Sequence, residues 1–184
     1  NSATPTISGT ASDGSGTGVA EVWYIVDDAA NDHTADAYAA AGWTKTAATS
    51  PWSAALSGLT EGNKKLTVKT LDKAGNFNNA STTTVVSFGV DLTAPTLTMA
   101  PLAAYNTGFP LTGTSADPGT NASGISTLQY KIDSGAYAPV TVAANWSVTI
   151  LPAVITALNE GSHTVTVIAT DAAGNQTTQS ASFN

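Results

Sequence analysis

Apolar and polar residues alternate over short stretches of this chain, and clusters of Gly, Asn, Asp, Pro and Ser separate one stretch from the next. Alternation with a period of two, bounded by turn residues, predicts strands with one face buried. Such strands are expected at residues 6–11, 19–26, 65–71 and 81–88, and again at 95–99, 111–115, 125–132, 163–170 and 176–183. In the stretch 19–26, Val22, Tyr24 and Val26 point to one side; in 125–132, Leu128, Tyr130 and Ile132 do the same. Thr and Val, which suit a pleated half-buried surface, are abundant, whereas helical periodicity is almost absent. One segment, Asp36 to Trp43 (DAYAAAGW), is compatible with a helical turn or two. The fold class is all-β.

The chain also repeats itself, and repeats decide architecture before any single motif does. Ile7-Ser-Gly9-Thr-Ala-Ser-Asp13 aligns with Leu111-Thr-Gly113-Thr-Ser-Ala-Asp117. Further blocks follow in the same order: Gly18 to Asp27 with Gly124 to Asp133, Trp52-Ser53 with Trp146-Ser147, and Leu59 to Gly62 with Leu158 to Gly161. The last pairs Leu66 to Asn76 with Val165 to Asn175. Two tandem β-sandwiches are therefore expected, over residues 1–92 and 93–184, joined by the short linker Asp91-Leu-Thr-Ala-Pro95. The second copy keeps a leading strand at 95–99, whereas the first starts almost at the strand of 6–11, which leaves its own leading strand either shortened or cut away.

Charge narrows the partners. Thirteen acidic residues face six lysines and no arginine, a net charge of −7. A nucleic-acid surface would need a basic stripe, so that class is excluded. No apolar run reaches the length of a membrane-spanning helix, and no insertion into a membrane is expected. The opening NSATPTISGT has no signal-peptide pattern and reads as the start of a mature piece or a fragment. Cysteine is absent, so no disulfide staples the fold, and a bound metal is one option for another staple.

The frame G-T-A-S-D, then V-x-Y-x-V-D, then Trp, then L-x-x-G, then a strand ending D-x-A-G-N resembles bacterial immunoglobulin-like repeats, as does the D-x-T-A-P linker. The resemblance covers nearly the whole chain. It implies two immunoglobulin-like β-sandwiches in a secreted or cell-surface protein, acting as a non-catalytic spacer or adhesion segment between neighbouring repeats of one chain, as a monomer. In adhesin arrays it also implies calcium at the domain junctions. In such a sandwich, Asp91 of the linker, Asp117 in the loop after the strand 111–115 and Asp171 at the start of the last hairpin turn come to one pole. Clustered carboxylates are hard oxygen ligands of the kind calcium takes. Asn175 could add an amide oxygen, and Asp13, Asp72 and Asn76 repeat the set in the first copy. The plainer alternative is that each Asp caps its own turn. Gly75 and Gly174 supply the positive φ that a tight hairpin needs in either case.

The first copy departs from the second by an insertion at about residues 29–50. Its strand 19–26 also turns Trp23 and Ile25 outward, where the second copy has Gln129 and Lys131. Two readings follow. Tyr38 and Trp43 fold back over Trp23 as a satellite core, or Trp23, Tyr38 and Trp43 form an exposed platform for a glycan or a protein ligand. Burial of Trp43 would remove the platform. Asp32-His33-Thr34-Ala35-Asp36 reads as a solvated loop rather than a transition-metal site. The two histidines occupy unrelated positions and the acids lie in turns, so no catalytic residue is assigned. A remaining alternative is an accessory domain pair of a secreted polysaccharide-degrading enzyme.

Overall fold

The computed structural model describes residues 5–37, 40–78 and 82–184. It divides into two compact units, one running to Val90 and the other from Asp91 to Asn184. Both are β-structures. No helix among the described residues is long and apolar enough to cross a membrane.

In the first unit the strands are β1 (Thr6–Gly9), β2 (Val19–Asp28), β3 (Thr44–Lys45), β4 (Trp52–Ala55), β5 (Gly62–Asp72) and β6 (Thr84–Val90). They form two antiparallel sheets, β1-β4 and β3-β2-β5-β6. Val22, Trp52, Leu66 and Val68 form the buried core, with Tyr24, Val26 and Phe88 packed against it. The expected inward row of β2 is therefore the observed one.

The second unit contains β7 (Thr96–Met99), β8 (Phe109–Ala116), β9 (Ile125–Ile132), β10 (Ala138–Val140), β11 (Asn145–Ile150), α1 (Pro152–Thr156), β12 (His163–Asp171) and β13 (Gln176–Phe183). Its sheets are β11-β8-β7 and β10-β9-β12-β13. The core is larger, with Leu97, Leu111, Leu128, Trp146, Val165 and Val167 among its members. The single helical turn α1 starts on a proline, whose fixed φ and missing N–H suit a first helical position, and it buries Ile155.

The repeat extends to register. Gly9 faces Trp52 across β1 and β4, as Gly113 faces Trp146 across β8 and β11. At the far ends Gly75 and Gly174 take φ of 93° and 90°, the left-handed conformation the hairpins require. One strand is shorter than its pattern: residues 6–11 alternate, yet β1 stops at Gly9. In the second unit the same stretch continues to Ala116 because β7 pairs with residues 113–116. The first unit has no such partner among its described residues. The described residues on either side of Tyr38 and Ala39 form reverse turns, Asp36 N bonding His33 O and Trp43 N bonding Ala40 O. Two positions of the sequence reading, Tyr38 and Ser81, lie outside the described residues.

Gly113 is required by close approach. A Cβ there would enter both the Thr98 carbonyl oxygen and the Trp146 indole, whereas a Cβ on Gly9 would meet only the Trp52 ring, at 2.8 Å. Overpacking of this kind costs on the order of 1–3 kcal/mol, and backbone yields less than a side chain. Gly113→Ala is thus expected to lower stability by about 3 kcal/mol and Gly9→Ala by about 1 kcal/mol, measured by urea unfolding. Equal costs at the two positions would contradict this account.

Candidate functional site

The structure brings Asp91, Asp117 and Asp171 together at one end of the second unit. One carboxylate oxygen from each lies within 4.8 Å of the others. Each Asp is placed by local backbone. Asp91 opens the unit, and its carboxylate accepts hydrogen bonds from Thr93 N at 3.1 Å and Ser123 N at 2.8 Å. The Ser123 hydroxyl, then the Ser123 and Thr93 N–H groups, hold Asp91 below the usual carboxylate range against the opposing effect of burial. Asp117 follows β8, and its Oδ2 accepts from Gly124 N at 2.6 Å. Asp171 ends β12; its Oδ1 accepts from Asn175 N and its Oδ2 from Asn175 Nδ2, both at 2.8 Å.

Two features set this cluster apart from turn-capping alone. Asp171 is only 1% exposed. Asp117 Oδ1 is shut off from solvent and has no hydrogen-bond donor. A buried carboxylate oxygen without a donor is costly, and three carboxylates this close repel each other by about 3 kcal/mol per pair at an effective dielectric near 20.

Asn175 has its amide nitrogen engaged within the cluster. Its amide nitrogen donates to Asp171 Oδ2 and, at 3.1 Å, to the Asp91 carbonyl. It ties the entering backbone to the end of β12 and positions the carboxylates. Ser123, which holds Asp91 and also receives Ala173 N on its hydroxyl, carries no sequence signal beyond standing before Gly124.

The first copy repeats the local geometry but not the cluster. Asp13 Oδ2 accepts from Gly18 N at 2.9 Å, and Asp72 accepts from Asn76 N and Nδ2 at 2.8 and 2.9 Å. Hydrogen bonding from the Asn76 side chain and backbone holds Asp72 below the ordinary carboxylate range. Among the described residues no third acid joins Asp13 and Asp72, so these two and Asn76 stand as turn-capping groups.

The insertion settles onto the outward face of the first unit's larger sheet. Trp43 is 8% exposed, which removes the aromatic platform: a buried indole cannot stack on a ligand. Trp23 is half-buried and donates its Nε1 hydrogen to Glu21, and Tyr38 lies outside the described residues. The anchor is Lys69, a buried lysine on β5 whose Nζ donates to Asp36 O at 2.5 Å and lies 5.4 Å from the Trp43 ring centroid. Lys69 stands where the second copy has an outward Ile168, so its role was hidden until the insertion was seen to cover it.

His33 is not in a solvated loop. Its Nδ1 lies 2.7 Å from Asp36 Oδ2 and its Nε2 3.1 Å from Asp27 Oδ2, while Trp43 Nε1 also donates to Asp36. With a carboxylate at each ring nitrogen, the imidazolium satisfies both, and the neutral ring satisfies one. Burial opposes the charge, but the Asp36 and Asp27 hydrogen bonds outweigh it and raise His33 above its ordinary value. A raised folded pKa stabilises most below the unfolded value of about 6.5, and that contribution is lost as pH rises through the folded value. Raising pH through that window is expected to loosen the insertion, seen as lower amide-exchange protection at residues 33–37 and 40–43 once the intrinsic pH dependence of exchange is divided out. His33→Gln should flatten the dependence; an unchanged profile in that variant would assign it elsewhere.

The model of the bacterial Ig-like domain matches residues 111–184. The solved fibronectin(III)-like modules of CbhA from Clostridium thermocellum are similar with a TM-score of 0.50 at 19% identity, over 98% of this chain and 85% of that one. A Corynebacterium diphtheriae protein, described as membrane anchored, aligns with a TM-score of 0.32 at 17% identity, over 97% of this chain and 47% of that one. Among curated proteins no relative matches. Residues 111–184 thus match the bacterial Ig-like domain, and the chain shares the β-sandwich fold of fibronectin(III)-like modules.

Proposed function

We propose that this chain is a non-catalytic spacer segment of a bacterial cell-surface protein, and that Asp91, Asp117 and Asp171 hold a calcium ion that stiffens the entry to the second unit. The observation that carries the metal is the donorless, solvent-excluded Oδ1 of Asp117 within the three-carboxylate cluster. A cation would relieve both the unmet oxygen and the mutual repulsion. Calcium takes six to eight oxygens at about 2.3–2.6 Å, so oxygens sharing one ion stand no more than about 5 Å apart, as these do. Loop carbonyls and water would complete the shell.

Stiffening follows from where Asp91 sits. It is the first residue of its unit, and Ser123 and Asn175 already tie its side chain and carbonyl to two different loops. A cation shared with Asp117 and Asp171 would add a third tie and fix the direction in which the chain enters. Its partners in this reading are neighbouring modules of the same chain. Titration calorimetry with calcium on the full chain tests the metal: one site is expected, and it should vanish in Asp117→Asn. Heat that persists unchanged in that variant would place the ion elsewhere.

A further inference from the structure

The acidic turn occurs in both copies, but it closes differently in each. In the first unit Asp72 Oδ1 accepts two hydrogen bonds, from Ala74 N and from Asn76 N, both at 2.8 Å, and Oδ2 accepts from Asn76 Nδ2 at 2.9 Å. A carboxylate oxygen accepts along two lone pairs, so this turn fills Oδ1 by itself. In the second unit Asn175 makes the same two bonds to Asp171. The remaining donor goes elsewhere: Ala173 N, the repeat equivalent of Ala74 N, donates to the Ser123 hydroxyl at 3.0 Å. Among the described residues nothing takes its place on Asp171, so both carboxylate oxygens keep an accepting position, against one on Asp72. Asp171 is also buried, which keeps bulk water from filling the position.

The backbone of the two turns otherwise matches. Ala172 N donates to Gly124 O and Lys73 N to Gly18 O, both at 2.9 Å. Gly174 N reaches Asp171 O at 3.3 Å, as Gly75 N reaches Asp72 O at 3.2 Å. The residue before the equivalent glycines differs: Ser123 in the second copy, Thr17 in the first. Ser123 is engaged on two sides. Its N–H donates to Asp91 Oδ2 at 2.8 Å, its hydroxyl hydrogen goes to Asp91 as well, and its hydroxyl oxygen receives Ala173 N. A hydroxyl has one hydrogen and two lone pairs, so it fills both roles at once.

We infer that Ser123 is a positioning residue for the acidic pole: its hydroxyl draws the Ala173 N–H off Asp171 and keeps a carboxylate position open for a cation, while its donations hold Asp91 in place. The identity of the ion rests on the calcium reading above; the diversion of the amide does not. A cation needs a lone pair that no donor occupies, and an N–H aimed at the same oxygen both takes the lone pair and repels the ion. Without Ser123 the second turn closes on itself as the first does, and the pole loses an accepting position without losing an acid.

The test uses the full chain, calcium as the probe, and two variants at exposed serines. Ser123→Ala is expected to weaken calcium binding about tenfold or more in titration calorimetry, because bonds to charged oxygens change. Ser126→Ala is the control. Ser126 donates its hydroxyl to the Thr170 and Asp171 carbonyl oxygens at 3.0 and 2.8 Å, so its loss reports support of the backbone alone. Affinity in that variant should stay within about threefold of the parent. A second readout needs no metal. In chelator, the parent should show a nuclear magnetic resonance coupling across the hydrogen bond from Ala74 N to the Asp72 carboxyl carbon, and none from Ala173 N to that of Asp171. In Ser123→Ala the second coupling should appear. Its appearance supports the inference even where the parent binds no calcium, a result that sinks the calcium reading alone. A coupling already present in the parent, or still missing in Ser123→Ala, overturns the inference. So does a parent that binds calcium with an affinity unchanged in Ser123→Ala, or lowered equally by both variants.

Discussion

Chelating calcium is expected to lower the unfolding temperature of the unit that begins at Asp91 by about 10–20 °C. The magnitude follows from linkage. A ligand at 100 times its dissociation constant stabilises the folded state by about 2.7 kcal/mol, and each kcal/mol shifts a domain of this size by about 4–8 °C. The distinguishing result is a reversal of sign. In calcium, Asp117→Asn should be less stable than the parent because a ligand is lost. In chelator it should be more stable, because one of three mutually repelling carboxylates has become neutral and the Oδ1 that lacked a donor no longer bears charge. Thermal scans of both proteins in both conditions check this. If the variant is less stable in chelator too, the cluster is held by its hydrogen bonds and needs no ion. Solution scattering gives the mechanical counterpart, with a broader size distribution expected when calcium is removed.

Trp146→Ala should cost the second unit about 3–5 kcal/mol, the largest effect expected from a single core substitution here. The indole is 2% exposed and packs against Gly113, with Leu111, Leu128 and Val165 in the same cluster, so truncation leaves a cavity in the core. Trp146→Phe should cost far less than its lost volume implies. The Trp146 Nε1 is buried with no acceptor, and phenylalanine removes that unmet donor along with the second ring. Trp52, its counterpart in the first unit, is 7% exposed and lines a cavity of about 330 Å³ that opens to solvent, so Trp52→Ala should fall near or below the low end of the same range. Chemical denaturation of the three variants measures all of this. Equal costs for Trp52→Ala and Trp146→Ala would mean that this cavity is closed in solution.

The residues at the ends of strands were the most legible part of the site. Asp13 and Asp117 follow equivalent strands, and Asp72 and Asp171 begin equivalent D-x-A-G-N turns, so one repeat forecasts the local hydrogen bonds of both copies. The insertion was far less legible. Its alanines and aromatics are as compatible with an exposed platform as with a covered face. The buried Lys69 that clamps it lies in a strand whose own pattern is ordinary. A similar substitution is readable only in pairs: Lys64 bonds Asp28 in the first unit where His163 bonds Asp133 in the second.

By itself the sequence determined the strand alternation, the duplication, the linker and the acidic ends, because periodicity and turn chemistry act between residues close along the chain. Only the tertiary structure decided that Trp43 is covered, that the Asn175 amide nitrogen bridges Asp171 and the Asp91 carbonyl, and that Lys69 clamps the insertion. Those outcomes depend on which distant groups arrive to cover a face or pair an edge, and the period of a strand is the same whether or not its partner comes.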